Sequence, residues 1–539
     1  GENKRTLRQS TSSAPSASQC RQSHLEMRIV ALLFCGLVQW TTGGRILGIF
    51  PHFGLTHWTT FKPLVEELAR RGHEVTVVGA FPRTTPMKNY VDVSIRESYP
   101  EDLGFVSITD LESSSRRSFL EMPSLYQMSA LTESTLRQKE VLALQNQTFD
   151  LVLIEYFNTP VYHGLAHKIK APVVACSSTQ ITGWATVALA NPDEPSYVPH
   201  ILAFRKNPFS FWDRLQNYAE LLISQVFYFK FFVPRAQKTA EKHLGDLPKL
   251  SDLEGNASLV LVNAHFTLNN PRPLNPNVIE VGGINVIPPN PLPDDLQQLL
   301  ERSKDGVIYF SMGTVLKAST LSKTKREAFV KAFAALKQTV LWKWDGNMKD
   351  KPPNVHLSTW YPQRDLFAHK NVVLFISHCG NLGVNEAVHE GIPIICIPMF
   401  GDQPYNSKSV ESQGMGEVLD FYSDITYEKI KSTINRVLTN PSYKRNARRV
   451  SKAYRDRPMS PLHTAVYWVE YVLRHEGAYH LRSAARHMPW YAYHNYDVMV
   501  FLHVALAAIV YLLYKVVVLF VKCLNLCCKS KPKSKVKKS

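Results

Sequence analysis

Between Trp360 and Gln403 the chain permits few architectures. It reads WYPQRDLFAH, then FISHCGNLGVNEA, then IPIICIPMFGDQ. The apolar runs Val372 to Ile376 and Ile392 to Ile397, bounded by Gly, His and Pro, predict buried parallel strands. A helix between them must start near Gly380, with its free N–H groups pointing back towards His378 as an anion cradle. Glu386 lies one or two turns in, placed to accept from a hydroxyl pair. Asp402-Gln403 follows the next strand, at the carboxyl edge where open α/β sheets bind ligands. The aromatic plate of Trp360, the cradle, a diol acceptor and a polar pair together suit a nucleotide sugar.

The rest of the chain repeats this architecture twice. Arg45 to Phe50 is a predicted strand, and Phe61, Leu64, Val65 and Leu68 give the next helix one apolar face. Further strands are expected at Glu74 to Val78, Leu151 to Ile154, Pro172 to Ala175 and Leu259 to Val262. Strands alternating with helices imply a doubly wound α/β unit. Prolines 271, 273, 276, 288, 289, 291 and 293 then crowd a predicted linker, 271–295. The pattern restarts with strands at Val307 to Phe310 and Val340 to Trp344, a helix marked by Phe329, Phe333 and Leu336, and late helices at Tyr427 to Leu438 and Ser442 to Asp456. Phe204 to Phe232 is unusually aromatic. Its run fits helical core, an apolar ligand pocket or a surface resting on a bilayer, and periodicity does not choose among them.

At 539 residues, 45% hydrophobic and 20% charged, the chain has material for two folded domains. Its net charge of +17 does not point to nucleic acid. Six lysines between Lys529 and Lys538 form an acid-free tail, and no basic strand with interleaved aromatics occurs. Such a tail just after an apolar segment marks a cytosolic membrane face. The segment is Val498 to Val521, long enough for a bilayer, with Trp490, Tyr491 and Tyr493 at its border. Residues 27–44 have the charge, apolar core and small-residue exit of a signal peptide, and residues 1–26 are an extension given no structure. The expected topology is single-pass type I, with the body in the endoplasmic reticulum lumen and residues 522–539 in the cytosol. Lys535 and Lys537 form a KxKxx retrieval-like ending, and Asn146 and Asn256 open glycosylation sequons. The eight cysteines show no metal spacing. Cys176, Cys379 and Cys396 are expected to be buried free thiols, and Cys523, Cys527 and Cys528 beside the membrane are open to palmitoylation.

From about residue 45 to 520 the chain resembles the UDP-glycosyltransferases, the membrane-bound UDP-glucuronosyltransferase and UDP-glucosyltransferase group. The resemblance implies a GT-B fold: two Rossmann-like domains facing a cleft, with 45–270 binding the acceptor and 296–485 binding the UDP-sugar. In Thr56-His57-Trp58, His57 matches the family's catalytic His, which follows the same strand before the same helix; His52 is its internal rival. The family's partner Asp falls at Glu155, one methylene longer, with Asp150 on the other side of the strand. Trp360 matches the residue that stacks on uracil, with Gln363 beside it. Ser311, Gly313 and Thr314 match a loop near the diphosphate, and His378 with Gly380 and Gly383 forms the cradle. Glu386 corresponds to the ribose acceptor, Asp402 and Gln403 to the sugar contacts, and Arg272 to an Arg beside the diphosphate. Two positions depart from the pattern. Cys379 stands where vertebrate members have Gly, and Leu382 where Asn is usual.

The expected function is therefore inverting transfer of glucose or glucuronic acid from UDP to a hydroxyl of a small lipophilic acceptor, with His57 as base. UDP-glucose or UDP-glucuronate would be a co-substrate, with no cofactor and no metal, since no Asp-x-Asp motif occurs. Glu155 and the FGDQ stretch lean towards invertebrate members and UDP-glucose. Two alternatives stand beside it: a catalytically silent membrane-anchored protein that binds lipophiles or nucleotide sugars, and a transferase that builds membrane lipids. Oligomeric state stays open, a homo-oligomer included.

Overall fold

The computed structural model describes residues 43–99, 106–113, 131–201 and 210–529. The extension, most of the signal-peptide segment, Phe204, Phe209 and the KVKKS ending lie outside these residues. Fifteen strands are present among them. In chain order they are β1 Arg45–Phe50, β2 Glu74–Gly79, β3 Tyr90–Ser94, β4 Val106–Ser107, β5 Leu151–Glu155, β6 Val173–Ser177, β7 Leu259–Val262, β8 Val278–Glu280, β9 Val307–Ser311, β10 Leu316–Lys317, β11 Thr339–Lys343, β12 Val355–Ser358, β13 Val372–Ser377, β14 Ile394–Cys396 and β15 Gly416–Val418.

Thirteen of them build two wholly parallel sheets, in the orders β3-β2-β1-β5-β6-β7-β8 and β12-β11-β9-β13-β14-β15, and β4 and β10 form a two-stranded pair. A parallel sheet needs cover on both faces, and the strand sequences supply it. Along β1, Leu47 and Ile49 join one core while Ile46 and Phe50 join the other. In the second sheet Ile308 and Phe310 face one core, Val307 and Tyr309 its opposite. Each sheet reverses strand order once, between β1 and β5 and between β9 and β13. Ligand sites in open α/β sheets form at the carboxyl ends of such reversals.

The expected strands and late helices lie within a residue or two of their predicted ends, while β3, β4, β8, β10, β12 and β15 were not anticipated. Three placements differ from the sequence reading. The stretch 271–295 is not only linker: β8 within it pairs with β7 and extends the first sheet. Helix Pro461–Arg474, assigned by sequence to the second half, buries Ala465, Val466, Val469 and Val472 in the core of the first sheet. Conversely, β4 pairs with β10, and Ile108 enters the core of the second lobe.

The cysteine expectation is corrected. Cys176 is a buried free thiol, but Cys379 and Cys396 form a disulfide, with Cα atoms 5.3 Å apart. The register sets Ser377 opposite Cys396, and the chain turns left-handed at Cys379, φ 61°, which returns its side chain to β14. The aromatic run divides. Tyr228 and Phe232 are buried, whereas Phe211, Trp212 and Phe231 are more than half exposed.

Residues 483–539 form a separate unit. Its main element is helix Tyr496–Lys529, whose segment Tyr496–Cys527 contains an 18-residue window of mean hydropathy 2.6 in which nothing is buried. At about 1.5 Å per residue, this 32-residue segment exceeds the roughly 30 Å of a bilayer core.

Candidate active site

Both halves of the site sit at the strand-order reversals. After β1 the chain runs through Pro51 to Gly54 into helix Leu55–Arg70, which carries His57 in its first turn. Glu155 closes β5, the next strand over, and is fully buried. The His57 Nδ1 lies 2.5 Å from Glu155 Oε1, with the ring 18% exposed. The second Glu155 oxygen accepts the His52 backbone N–H at 3.2 Å, and the Ser178 hydroxyl is 3.2 Å from His57 Nδ1. A carboxylate bound at Nδ1 fixes the tautomer of a neutral imidazole, leaving Nε2 as the free lone pair. Glu155 is thus the carboxylate that pairs with His57. Asp150, at the opposite end of its strand, accepts from the Arg45 backbone N–H and takes no part.

In the second lobe, helix Asn381–Glu390 begins after Gly380 and is stopped by Gly391. His378 packs so closely on the loops around it that a Cβ at Gly313 would lie 2.5 Å from its ring, and one at Gly380 2.8 Å. Gly313, at φ 83°, also adopts the left-handed region that glycine tolerates. Burial, with the charge of Lys343 second, holds His378 down at about 4, so it is neutral near pH 7. Lys343 donates to the Gly313 carbonyl at 2.7 Å and sits 5.1 Å over the ring of Trp360, which is 59% exposed. Ser311 accepts the Gly313 N–H, and the buried Thr314 hydroxyl has no hydrogen-bond partner among the described residues. Glu386 accepts from Gln363 Nε2 at 2.5 Å, and burial raises its pKa to about 7. Gly383 lets the helix approach Phe375 and Gln363, with its missing Cβ 3.3 Å from the first.

Two predicted residues are engaged by the protein itself. Asp402 accepts the Asn381 backbone N–H at 3.2 Å and Asn406 Nδ2 at 2.7 Å, so one of the free N–H groups of the cradle is already taken. Its pKa is raised, with burial as the largest cause. Gln403 is 3% exposed, and its carbonyl accepts from the Met399 and Phe400 backbones. Arg272 donates to Gln180 at 2.8 Å and reaches the Tyr405 hydroxyl at 3.5 Å, at the seam between the lobes.

Several functional candidates escaped the sequence reading. Asn381 donates to the carbonyls of Ser178 and Asn263 in the first lobe, at 3.0 and 2.9 Å. A continuous polar path thus runs from His57 through Ser178 and Asn381 to Asp402, and the two half-sites form one. Lys343, Ser178 and Asn263 carried no sequence signal. Asn381 did, standing directly after the helix-starting Gly380. Of the sequons, Asn146 is exposed and Asn256 half-buried beside a fully buried Ser258.

Twin parallel sheets with a His–carboxylate pair at one reversal and an exposed indole, a glycine-lined turn and a buried Glu at the other have the architecture of GT-B glycosyltransferases. Comparison narrows the class. The family model described as UDP-glucoronosyl and UDP-glucosyl transferase matches residues 45–531, and the chain belongs to that family. It is similar to UDP-glucosyltransferase 2 of Dactylopius coccus, 37% identical over 90% of this chain and 95% of that one. It is also similar to UDP-glucuronosyltransferase 1A7 of Mus musculus, 33% identical over 91% and 94%. Among solved structures, Os79 from O. sativa in complex with UDP matches with a TM-score of 0.54 at 19% identity, covering 79% of this chain and 99% of that one. The spinosyn forosaminyltransferase SpnP matches at 0.55 and 18%, covering 80% and 100%. The chain is a UDP-glycosyltransferase, and its apolar helix Tyr496–Lys529 fits a transmembrane anchor.

Proposed function

We propose that this chain moves glucose or glucuronic acid from UDP to a hydroxyl of a small lipophilic acceptor, with inversion at the anomeric carbon. The observation that carries the reading is the 2.5 Å contact of His57 Nδ1 with the fully buried Glu155. An alcohol is too weak an acid to react unaided near neutral pH, and a positioned base adds roughly 10² to 10⁴ in rate. His57 Nε2 takes the hydroxyl proton as the acceptor oxygen bonds to the anomeric carbon from the face opposite UDP. The bond to the diphosphate oxygen breaks, and its electron pair leaves with UDP. Glu155 stabilises the imidazolium so formed.

On the donor side Trp360 is the plate for uracil with Gln363 at its edge, and Glu386 accepts the ribose hydroxyls. The diphosphate meets His378, the remaining N–H groups after Gly380 and the Ser311 to Thr314 loop. Asp402 and Gln403 serve the sugar, Gln403 through its amide N–H₂ since its carbonyl is engaged. Arg272 completes the diphosphate side at the seam. These donors stabilise leaving charge without a divalent ion, so turnover should survive EDTA.

The body is placed in the endoplasmic reticulum lumen. A buried disulfide at Cys379–Cys396 suits that oxidising compartment, as does an exposed sequon at Asn146. Mapping glycans on the expressed protein tests it: a membrane-bound, unglycosylated chain open to cytosolic protease would refute the orientation.

The activity is tested on microsomes carrying the full chain, given UDP-glucose or UDP-glucuronate and a panel of phenols and steroids. Glu155→Gln should lose most of its turnover and its acid limb in the pH profile; near-normal activity with an unchanged limb rejects the dyad. Product of retained anomeric configuration rejects inversion. UDP binding without product from either donor favours the silent, lipophile-binding alternative.

A further inference from the structure

Beside the proposed base lies a second imidazole that the reaction above does not use. His52 follows β1, and its ring Nδ1 accepts the Gly54 backbone N–H at 2.8 Å. A ring nitrogen that accepts carries no proton, so this imidazole is neutral with its hydrogen on Nε2. The ring is 8% exposed and lies flat on His57, with centroids 3.5 Å apart and planes within 7°. Phe53 stacks on His52 at 4.5 Å, and Phe157 meets both imidazoles edge-on, at 5.4 and 4.9 Å.

The titratable groups around this pair come from several elements. Glu155 ends β5; Cys176 on β6 is its register partner; Tyr99 donates to the Pro51 carbonyl; Asp402 approaches from the second lobe. Burial and the neighbouring His57 charge both oppose protonation of His52, whose pKa is held well below the usual imidazole value. A base that becomes a cation during turnover is helped by a neutral π face and harmed by a second cation.

We propose that His52 is a positioning residue for His57, a permanently neutral plate that fixes the orientation of the base and stabilises the imidazolium formed during transfer. It acts through His57 and touches neither substrate. The inference rests on His57 being the base, and the test keeps the two apart.

Two substitutions separate the roles of the ring. His52→Asn supplies an oxygen to the Gly54 N–H but removes the plate. His52→Phe keeps a flat face and removes the acceptor. Full-length variants in microsomes, with His57→Ala alongside, are assayed for kcat, donor KM and the pH dependence of kcat/KM. A wild-type melting temperature of each full-length variant serves as the check on folding. His52→Asn should lower kcat about tenfold with donor KM little changed, and shift the acid limb about one pH unit lower, as loss of cation stabilisation requires. His52→Phe should keep the limb in place. A wild-type profile for His52→Asn, or equal impairment of both variants with an unmoved limb, would overturn the inference and leave His57 intact. Wild-type turnover in His57→Ala would instead remove the base reading itself.

Discussion

Glu254 is fully buried in the first lobe, where one oxygen accepts from the Tyr228 hydroxyl at 2.7 Å and burial lifts its pKa to about 8. A carboxyl that holds its proton more tightly when folded binds more protons in the native state than in the unfolded one. Stability is therefore full below its ordinary value and falls as pH rises towards about 8. Between pH 5 and pH 8 the loss amounts to at most about 3–4 kcal/mol. Glu254→Gln should melt close to the wild type near pH 5 and increasingly above it towards pH 8.5, by differential scanning fluorimetry in detergent. Parallel melting curves across that range would contradict the assignment. Glu386 obeys the same physics at the donor side. Near pH 6 it is mostly protonated, and in its proposed role ribose hydroxyls donating to it would favour the carboxylate. UDP binding should thus release a proton and tighten from pH 6 to pH 8, by calorimetry in buffers of different ionisation enthalpy; Glu386→Gln should flatten that slope.

The turn from β13 into helix Asn381–Glu390 shows how an element carries a residue's chemistry. Cys379 takes a left-handed backbone conformation, φ 61°, at the position where the resemblance gives vertebrate members Gly. An ordinary side chain there costs about 1–2 kcal/mol, and the disulfide to Cys396 holds the residue in place. Closing a loop of this size stabilises a fold by about 3 kcal/mol in the chain-entropy description. Cys396→Ser should therefore lose roughly that amount, whereas Cys379→Gly should lose less, because glycine recovers the backbone term. Non-reducing denaturant melts decide the order; equal losses would show that the backbone conformation carries no cost. The same turn delivers Asn381 to Ser178 and Asn263, so its geometry also sets how the lobes meet.

Across the whole molecule the two lobes are laced together out of chain order. Helix Pro461–Arg474, which follows the second lobe in sequence, packs on helix Leu55–Arg70 of the first, with Arg71 3.3 Å from Glu470. The helix that carries His57 is thus supported by residues some 400 positions later. Val466→Asp would bury an unpaired charge at a fully buried site. On the proposal that the second lobe binds UDP, we expect it to destabilise the first lobe by several kcal/mol and to weaken transfer before UDP binding. Loss of both in step, by parallel activity and calorimetry, would show instead that the lobes fold as one unit.

Much of this was written in the sequence. Apolar runs of strand length bounded by Gly, Pro and His marked the nine inner strands of the two sheets within a residue or two, since burial on two faces demands unbroken hydrophobic strands, while the edge strands β3, β8, β12 and β15 escaped. The helix start near Gly380 beside His378 was legible, and the family resemblance singled out His57 in Thr56-His57-Trp58 for the proposed base. What local pattern could not carry is whatever depends on side chains meeting from distant strands. The Cys379–Cys396 bond, the flat His52–His57 stack, the seam through Asn381 and the return of the last soluble helix to the first lobe all join residues whose separation in the chain says nothing about their distance. Sequence periodicity sets which face of an element is apolar; only the packing of sheets and helices decides which partners those faces, and the polar groups at their edges, finally find.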